Sequence, residues 1–214
     1  MSTISKKSGS SRPARDSKHV KIFITGDSGG GKSTTAVALG KHLKIPVFHS
    51  DLYRFKEAGI LNPYPEFKKT IESIIKTNEK YIIEGIEFGD DQILFEKLMN
   101  EADIVLNFEV PPRVSITSFF NRYFDYFEKG TPHIGINIGS SYKASSEHFK
   151  CFIDFYYSYQ SRRHLRQPIL KKCSKKVVNI HNFKEADQVI ANFAIAEINL
   201  VRNDPSLLLS SDTF

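Results

Sequence analysis

Sulfur is scarce in this chain: Cys151 and Cys173 are the only cysteines among 214 residues. Two thiols make no disulfide framework and read as reduced packing residues. No window approaches 18 consecutive apolar residues, so no membrane-spanning helix is expected. The N-terminus lacks the apolar stretch of a signal peptide, which predicts a cytoplasmic protein with no membrane partner. Internal repeats are missing, and so is any break that would mark a second full domain. From Phe155 to Lys184 there is no acidic residue at all.

The net charge of +6 raises the question of a nucleic-acid partner, but its location argues against one. Residues 1–19 hold Lys6, Lys7, Arg12, Arg15 and Lys18 against Asp16 alone, which is +4 of the total. That segment is rich in Ser, Gly and basic residues, has no apolar period, and is expected to be a disordered basic tail. The rest of the chain has the ordinary charge of a soluble domain. Its 40% apolar content and 17 phenylalanines suffice for one sizeable core.

Short β-branched and apolar runs alternate with helical patterns along that domain. VKIFIT (20–25), PVFHS (46–50), KYIIEG (80–85), DIVLNFEV (103–110) and KKVVNI (175–180) read as five strands. STTAVALGKHL reads as a helix, as do DQILFEKLMN and the closing KEADQVIANFAIAEI. In PEFKKTIESIIK, Pro65 suits the first helical position and Phe67, Ile71, Ile74 and Ile75 fall at the helical period. Ile116, Phe119, Phe120, Tyr123, Phe124 and Phe127 form an aromatic stripe on a further helix, read as core, with Gly130 where that helix would stop. Residues 131–145 are a Gly- and Ser-rich break, and an amphipathic helix then runs to about His164. Strands alternating with helices predict an α/β doubly wound fold, a five-stranded parallel sheet with helices on both faces. The domain is expected over residues 20–200, with a lid at about 131–172 and a C-terminal tail at 201–214.

GDSGGGKST, Gly26 to Thr34, sits between the first strand and the first helix and satisfies G-x-x-x-x-G-K-S/T. Gly26, Asp27, Ser28, Gly29, Gly30, Gly31, Lys32, Ser33 and Thr34 are therefore the candidate nucleotide-binding residues. Glycines allow backbone N–H groups to turn inward and reach phosphate oxygens with no Cβ in the way. The helix that follows adds free N–H groups and the positive end of its dipole. Lys32 would bridge the β- and γ-phosphates of ATP, and the Ser33 hydroxyl would ligate Mg²⁺. Absent motifs narrow the class. There is no N-K-x-D for guanine, no D-x-x-G after the third strand and no L-S-G-G-Q, which leaves a small kinase.

IPVFHSDLYRF after the P-loop helix and YIIEGIEF on the third strand resemble the uridine kinase and adenylate-kinase-like group of small P-loop kinases. The wider layout is similar to the bacterial small kinases labelled DNA topology modulation proteins, through ADIVLNFEVP and the late SRRHLR run. The similarity covers roughly residues 20 to 195. Glu84-Gly85 stands where the latter group usually has Asp-Gly, and one arginine, Arg122, stands where several are common.

The resemblance implies a P-loop kinase fold with an Arg-bearing lid and residue roles to match. Asp51 would orient or deprotonate the acceptor, Tyr53 and Arg54 would line its pocket, and Glu84 would hold a Mg²⁺-bound water or an acceptor hydroxyl. The structural alternatives are a helix N-cap after Ser50 for Asp51 and a solvated strand end for Glu84. His49 reads as a packed or capping histidine. Arg122, Arg162 and Arg166 are the candidate arginines for the transferring phosphoryl group, with Arg163 binding substrate, because a planar guanidinium can meet two of its oxygens.

The chain is thus expected to be an ATP- and Mg²⁺-dependent phosphotransferase with a small-molecule acceptor, a nucleoside-type hydroxyl, and no nucleic-acid partner. A nucleoside monophosphate kinase is the alternative. A nucleic-acid-binding P-loop ATPase or a nucleotide sensor is the alternative of another class.

Overall fold

Lys21–Gly26 forms strand β1 because its β-branched and aromatic side chains are apolar in both directions of the pleat. Ile22 and Ile24 point to one face and Phe23 to the other, and all three have no exposed surface. A strand with two apolar faces has to lie mid-sheet between two helical layers, and β1 does. The computed structural model describes residues 20–57, 60–86, 92–129, 163–172, 177–195 and 208–209. The basic tail 1–19, Cys151, Cys173, Arg162 and residues 131–162 of the expected lid lie outside the described residues, as do 201–207 and 210–214 of the C-terminal tail.

After β1 come α1 (Lys32–Leu43), β2 (Val47–His49), the single turn α2 (Asp51–Arg54), β3 (Phe55–Glu57), β4 (Ile60–Leu61) and α3 (Tyr64–Thr77). Then follow β5 (Tyr81–Glu84), α4 (Gln92–Glu101), β6 (Ile104–Phe108) and α5 (Pro112–Lys129). The next helix, α6, is described over 163–172. β7 (Val177–Ile180) and α7 (Phe183–Ile195) close the domain. The five expected strands are present within a residue or two, and all pair in parallel in the order β2-β5-β1-β6-β7. From β1 the chain builds outward to β2 and β5 on one side, then crosses to β6 and β7 on the other. In open α/β sheets such a switch point opens a crevice at the carboxyl ends of the central strands.

Two core layers cover the sheet. On one face Ile22, Ile24, Ala36, Leu39, Phe108, Val189 and Phe193 join β1 and β6 to α1 and α7. On the other, Phe23, Phe67, Ile71, Ile83, Leu94 and Phe95 join the sheet to α3 and α4. Phe23 and Phe95 meet edge-on, with ring centroids 5.4 Å apart, the arrangement that the ring quadrupoles favour. Burial of each such side chain contributes about 1.5–3 kcal/mol.

Three expectations are revised. The pair β3 and β4 forms a separate antiparallel ribbon that the periodicity does not announce. The helix end expected at about His164 is not there: residues 163–172 are helical through Pro168, because Ile169 and Leu170 bury against the second core layer. That part of the expected lid is thus part of the body. The aromatic stripe of α5 is not uniformly core: Phe124 stacks on Phe120 but is 55% exposed.

Candidate active site

The glycine loop leaves β1 with a sharp turn at Gly26, whose φ of 123° lies in the region that side chains avoid. A Cβ there would stand 2.3 Å from the backbone of Phe108, so only glycine lets β1 and β6 run side by side into the loop. The Asp27 N–H donates to the Phe108 carbonyl at 2.6 Å, and the Gly30 N–H returns to the Asp27 carbonyl at 3.1 Å. Ser115 on α5 donates its hydroxyl to the Ser28 carbonyl. Gly31 then caps α1 and accepts from the Thr35 N–H at 2.9 Å. The loop is held from both sides, and its helix end offers N–H groups to an anion.

Asp27 is the focus of charge. Lys32 donates from Nζ to the Asp27 carbonyl at 3.0 Å. The Asp27 side chain has no exposed surface; it turns inward, and Arg166 Nη2 donates to its Oδ1 at 3.1 Å. Arg163 Nη1 lies 3.5 Å from its Oδ2. Burial raises the Asp27 carboxyl above the ordinary carboxylate value, while Arg166, Arg163 and Lys32 pull it back. Arg163 also reaches Glu109, 3.7 Å from Oε2 and 3.4 Å from the carbonyl. Glu109 is held in turn by Asn107 at 2.7 Å and by Gln167. Arg166, expected at the transferring phosphate, is instead buried against Asp27. The expected phosphate ligand Asp27 is engaged through its side chain by two arginines.

A second cluster lies one strand away. His49 and Glu84, the last residues of β2 and β5, are register partners, and His49 Nδ1 is 2.6 Å from Glu84 Oε1. Glu84 is only 3% exposed, so it is no solvated strand end. The Ser50 N–H donates to the Glu84 carbonyl at 2.9 Å. Gly85 follows with a φ of 93°, and a Cβ there would come within 2.8 Å of Ser50 Oγ and 3.8 Å of Asp51 Oδ1. The Asp51 carboxylate thus stands beside the Gly85 main chain, one residue past Glu84. Asp51 opens α2, exposed, while the Ser50 carbonyl accepts from the Tyr53 and Arg54 N–H groups.

The remaining candidates separate. Arg54 lies over the rings of Phe67, at 5.2 Å, and Tyr64, at 5.9 Å, a cation–π seat on α3. Tyr53 packs on the second core layer and borders an open cavity of about 350 Å³ with Lys69, Thr70, Ser73 and Thr77. Arg122 lies on α5, with its side chain outside the described residues, and Arg162 is outside them altogether. Ser33 and Thr34 stand in the first turn of α1, Ser33 half-buried and Thr34 exposed. The ring of Phe183, 45% exposed, sits 3.2 Å from where a Gly31 Cβ would be. Sequence patterns gave no sign of the Phe183, Glu109 or Ser115 contacts; His49 alone carried a signal, two residues before Asp51.

A five-stranded parallel sheet with this loop after β1 matches known structures along nearly its whole length. A gluconokinase from Sinorhizobium meliloti 1021 superposes with a TM-score of 0.52 at 12% identity, over 89% of this chain and 97% of that one. A shikimate kinase from Acinetobacter baumannii, solved in complex with shikimate, gives 0.51 at 12% identity, over 92% and 97%. The fold is that of the small P-loop kinases. No protein-family model matches the sequence, and no curated protein does. At such identity a P-loop kinase fold is shared without its acceptor. Among the described residues no helix is long and apolar enough to cross a membrane, and no group of three or more His, Cys, Asp or Glu could hold a metal ion.

Proposed function

We propose that this chain transfers the γ-phosphoryl group of Mg²⁺-ATP to a hydroxyl of a small acceptor. The observation that carries the proposal is the placement of Asp51 against Gly85 at the carboxyl end of β5, next to the strand that bears the Lys32 loop. A hydroxyl has to lose a proton to become a nucleophile, and a positioned carboxylate removes it. Asp51 takes that proton as the acceptor oxygen bonds to the γ-phosphorus. The bond from phosphorus to the bridging β-oxygen breaks, and ADP leaves. Lys32 moves from the Asp27 carbonyl to the phosphates and offsets their charge. The exposed ring of Phe183 beside Gly31 provides a flat face for the base.

Mg²⁺ in such sites takes one or two protein oxygens and completes its shell with phosphate and water. Ser33 and Glu84 are donors of that type, and when bound the ion would screen the β- and γ-phosphates. Glu84 has one oxygen committed to His49, which leaves the other for this purpose.

Arg54 favours a hydroxyl over a phosphate acceptor, because its guanidinium is seated on Phe67 and Tyr64. The resemblance of IPVFHSDLYRF and YIIEGIEF to uridine kinases supports a nucleoside hydroxyl. The gluconokinase and shikimate kinase folds make hydroxylated acids the next class to try. The test is ADP release by the full chain with Mg²⁺-ATP, screened against nucleosides, nucleoside monophosphates and hydroxylated acids. Acceptor-dependent release with a nucleoside or an acid supports hydroxyl transfer. Release with monophosphates alone refutes it, and tight ATP binding with no acceptor-dependent release makes the protein a sensor.

A further inference from the structure

A carboxylate is an unexpected neighbour for a phosphate cradle, since it repels the anion that the loop is built to hold. Asp27 avoids this by turning inward, where it meets Arg166 and Arg163. These arginines are three residues apart on α6 and therefore share a face. Their exposures differ: the Arg166 side chain is 3% exposed and that of Arg163 25%. Arg166 is an anchor, because moving it to solvent would strand the Asp27 charge in the interior. Arg163 keeps one edge toward solvent and bridges Asp27 to Glu109 at the end of β6. The C-terminal half of α6 is pinned in the core by Ile169 and Leu170, and its N-terminal half is pinned by Asp27.

We propose that Asp27 is a positioning residue: through Arg166 it fixes α6 on the phosphate loop, so that Arg163 stands at the loop's rim as the cation that recognises the nucleotide's terminal phosphate. This rests on the reading of the loop as a nucleotide site. Lys32 and Arg163 then approach the phosphates from opposite sides of one residue, Lys32 over the Asp27 carbonyl and Arg163 over its carboxylate. A guanidinium held in place by a buried partner loses less freedom on meeting a phosphate than one on a free surface.

The test is calorimetric binding of Mg²⁺-ATP and Mg²⁺-ADP to the full chain, which needs no acceptor. Arg163→Ala is expected to weaken ATP about tenfold, the loss of one charge-assisted hydrogen bond, with ADP little changed. Asp27→Asn is expected to show the same ATP-selective loss although Arg163 is still present. The double variant should be no weaker than the weaker single one, because both remove one interaction. Should Asp27→Asn fail to fold, the paired Asp27→Asn/Arg166→Gln variant takes its place, with neutral amides where the ions were. Equal losses for ATP and ADP, an unchanged ATP-to-ADP ratio, a gain in ATP affinity, or losses that multiply in the double variant would each overturn the proposal. A parent chain that binds neither nucleotide overturns the nucleotide-site reading itself, and the role of Asp27 with it.

Discussion

His49 Nδ1 stands 2.6 Å from Oε1 of the buried Glu84, across the register that joins the last residues of β2 and β5. A carboxylate that is almost fully enclosed has to be hydrogen-bonded, and the imidazole N–H supplies that bond. His49→Ala is expected to lower acceptor-dependent kcat by about 10- to 100-fold, the loss of one charge-assisted hydrogen bond, with ATP affinity changed far less. His49→Gln, which can still donate, should recover part of the rate. Equal kcat for the alanine variant and the parent would show that Glu84 needs no support from His49.

Asp51 and Lys32 separate two steps. With Asp51 as the proposed base, Asp51→Asn keeps the shape and loses the proton acceptor, so kcat should fall by about 10²- to 10⁴-fold while ATP binding persists. Lys32→Ala removes the loop cation and should abolish turnover. Steady-state kinetics beside calorimetry distinguishes the two, and an Asp51→Asn enzyme as fast as the parent would assign Asp51 to capping α2.

Gly26→Ala tests the backbone of the loop. A Cβ 2.3 Å from the Phe108 main chain, at a φ of 123°, combines overpacking with an avoided conformation. The expected loss of stability is about 3 kcal/mol or more, read from the urea midpoint. A variant as stable as the parent would mean that β1 and β6 part readily at this point.

The raised Asp27 carboxyl gives a signed prediction with pH. A carboxyl whose folded value exceeds its unfolded one binds protons more tightly when folded, so folding stability from this group falls as pH rises between the two values. Asp27→Asn cannot titrate. The parent should therefore lose stability relative to that variant from about pH 4 upward, until Asp27 is ionised in the folded state. Urea unfolding of both proteins across the acid range measures this. A parent that gains on the variant would show that the two arginines outweigh burial.

Much of the scaffold was legible because it repeats locally. VKIFIT, KYIIEG and DIVLNFEV are apolar on both faces of the pleat, and only a central parallel strand buries both. Phe67, Ile71, Ile74 and Ile75 mark the buried side of α3 by their spacing alone. The β3–β4 ribbon was not legible, since three- and two-residue strands carry too little pattern. Nor was the continuation of α6 past Pro168, where burial of Ile169 and Leu170 outweighs a residue that breaks helices. Phe124 misled in the other direction: a stripe shows which side of a helix is apolar, not how far along it the core extends.

By itself the sequence determined the succession of the five sheet strands and the longer helices between them, the glycine loop after the first strand and the carboxylates at Asp51 and Glu84. These follow from spacing along one stretch of chain. Tertiary structure alone decided what the charged groups do. Arg166 and Asp27 are 139 residues apart, and neither their types nor their neighbours announce the pair. His49 and Glu84 meet because β2 and β5 are adjacent, and Arg54 turns to α3 because Phe67 and Tyr64 are there. Charge acts through space and burial, and both are set only when the sheet has assembled.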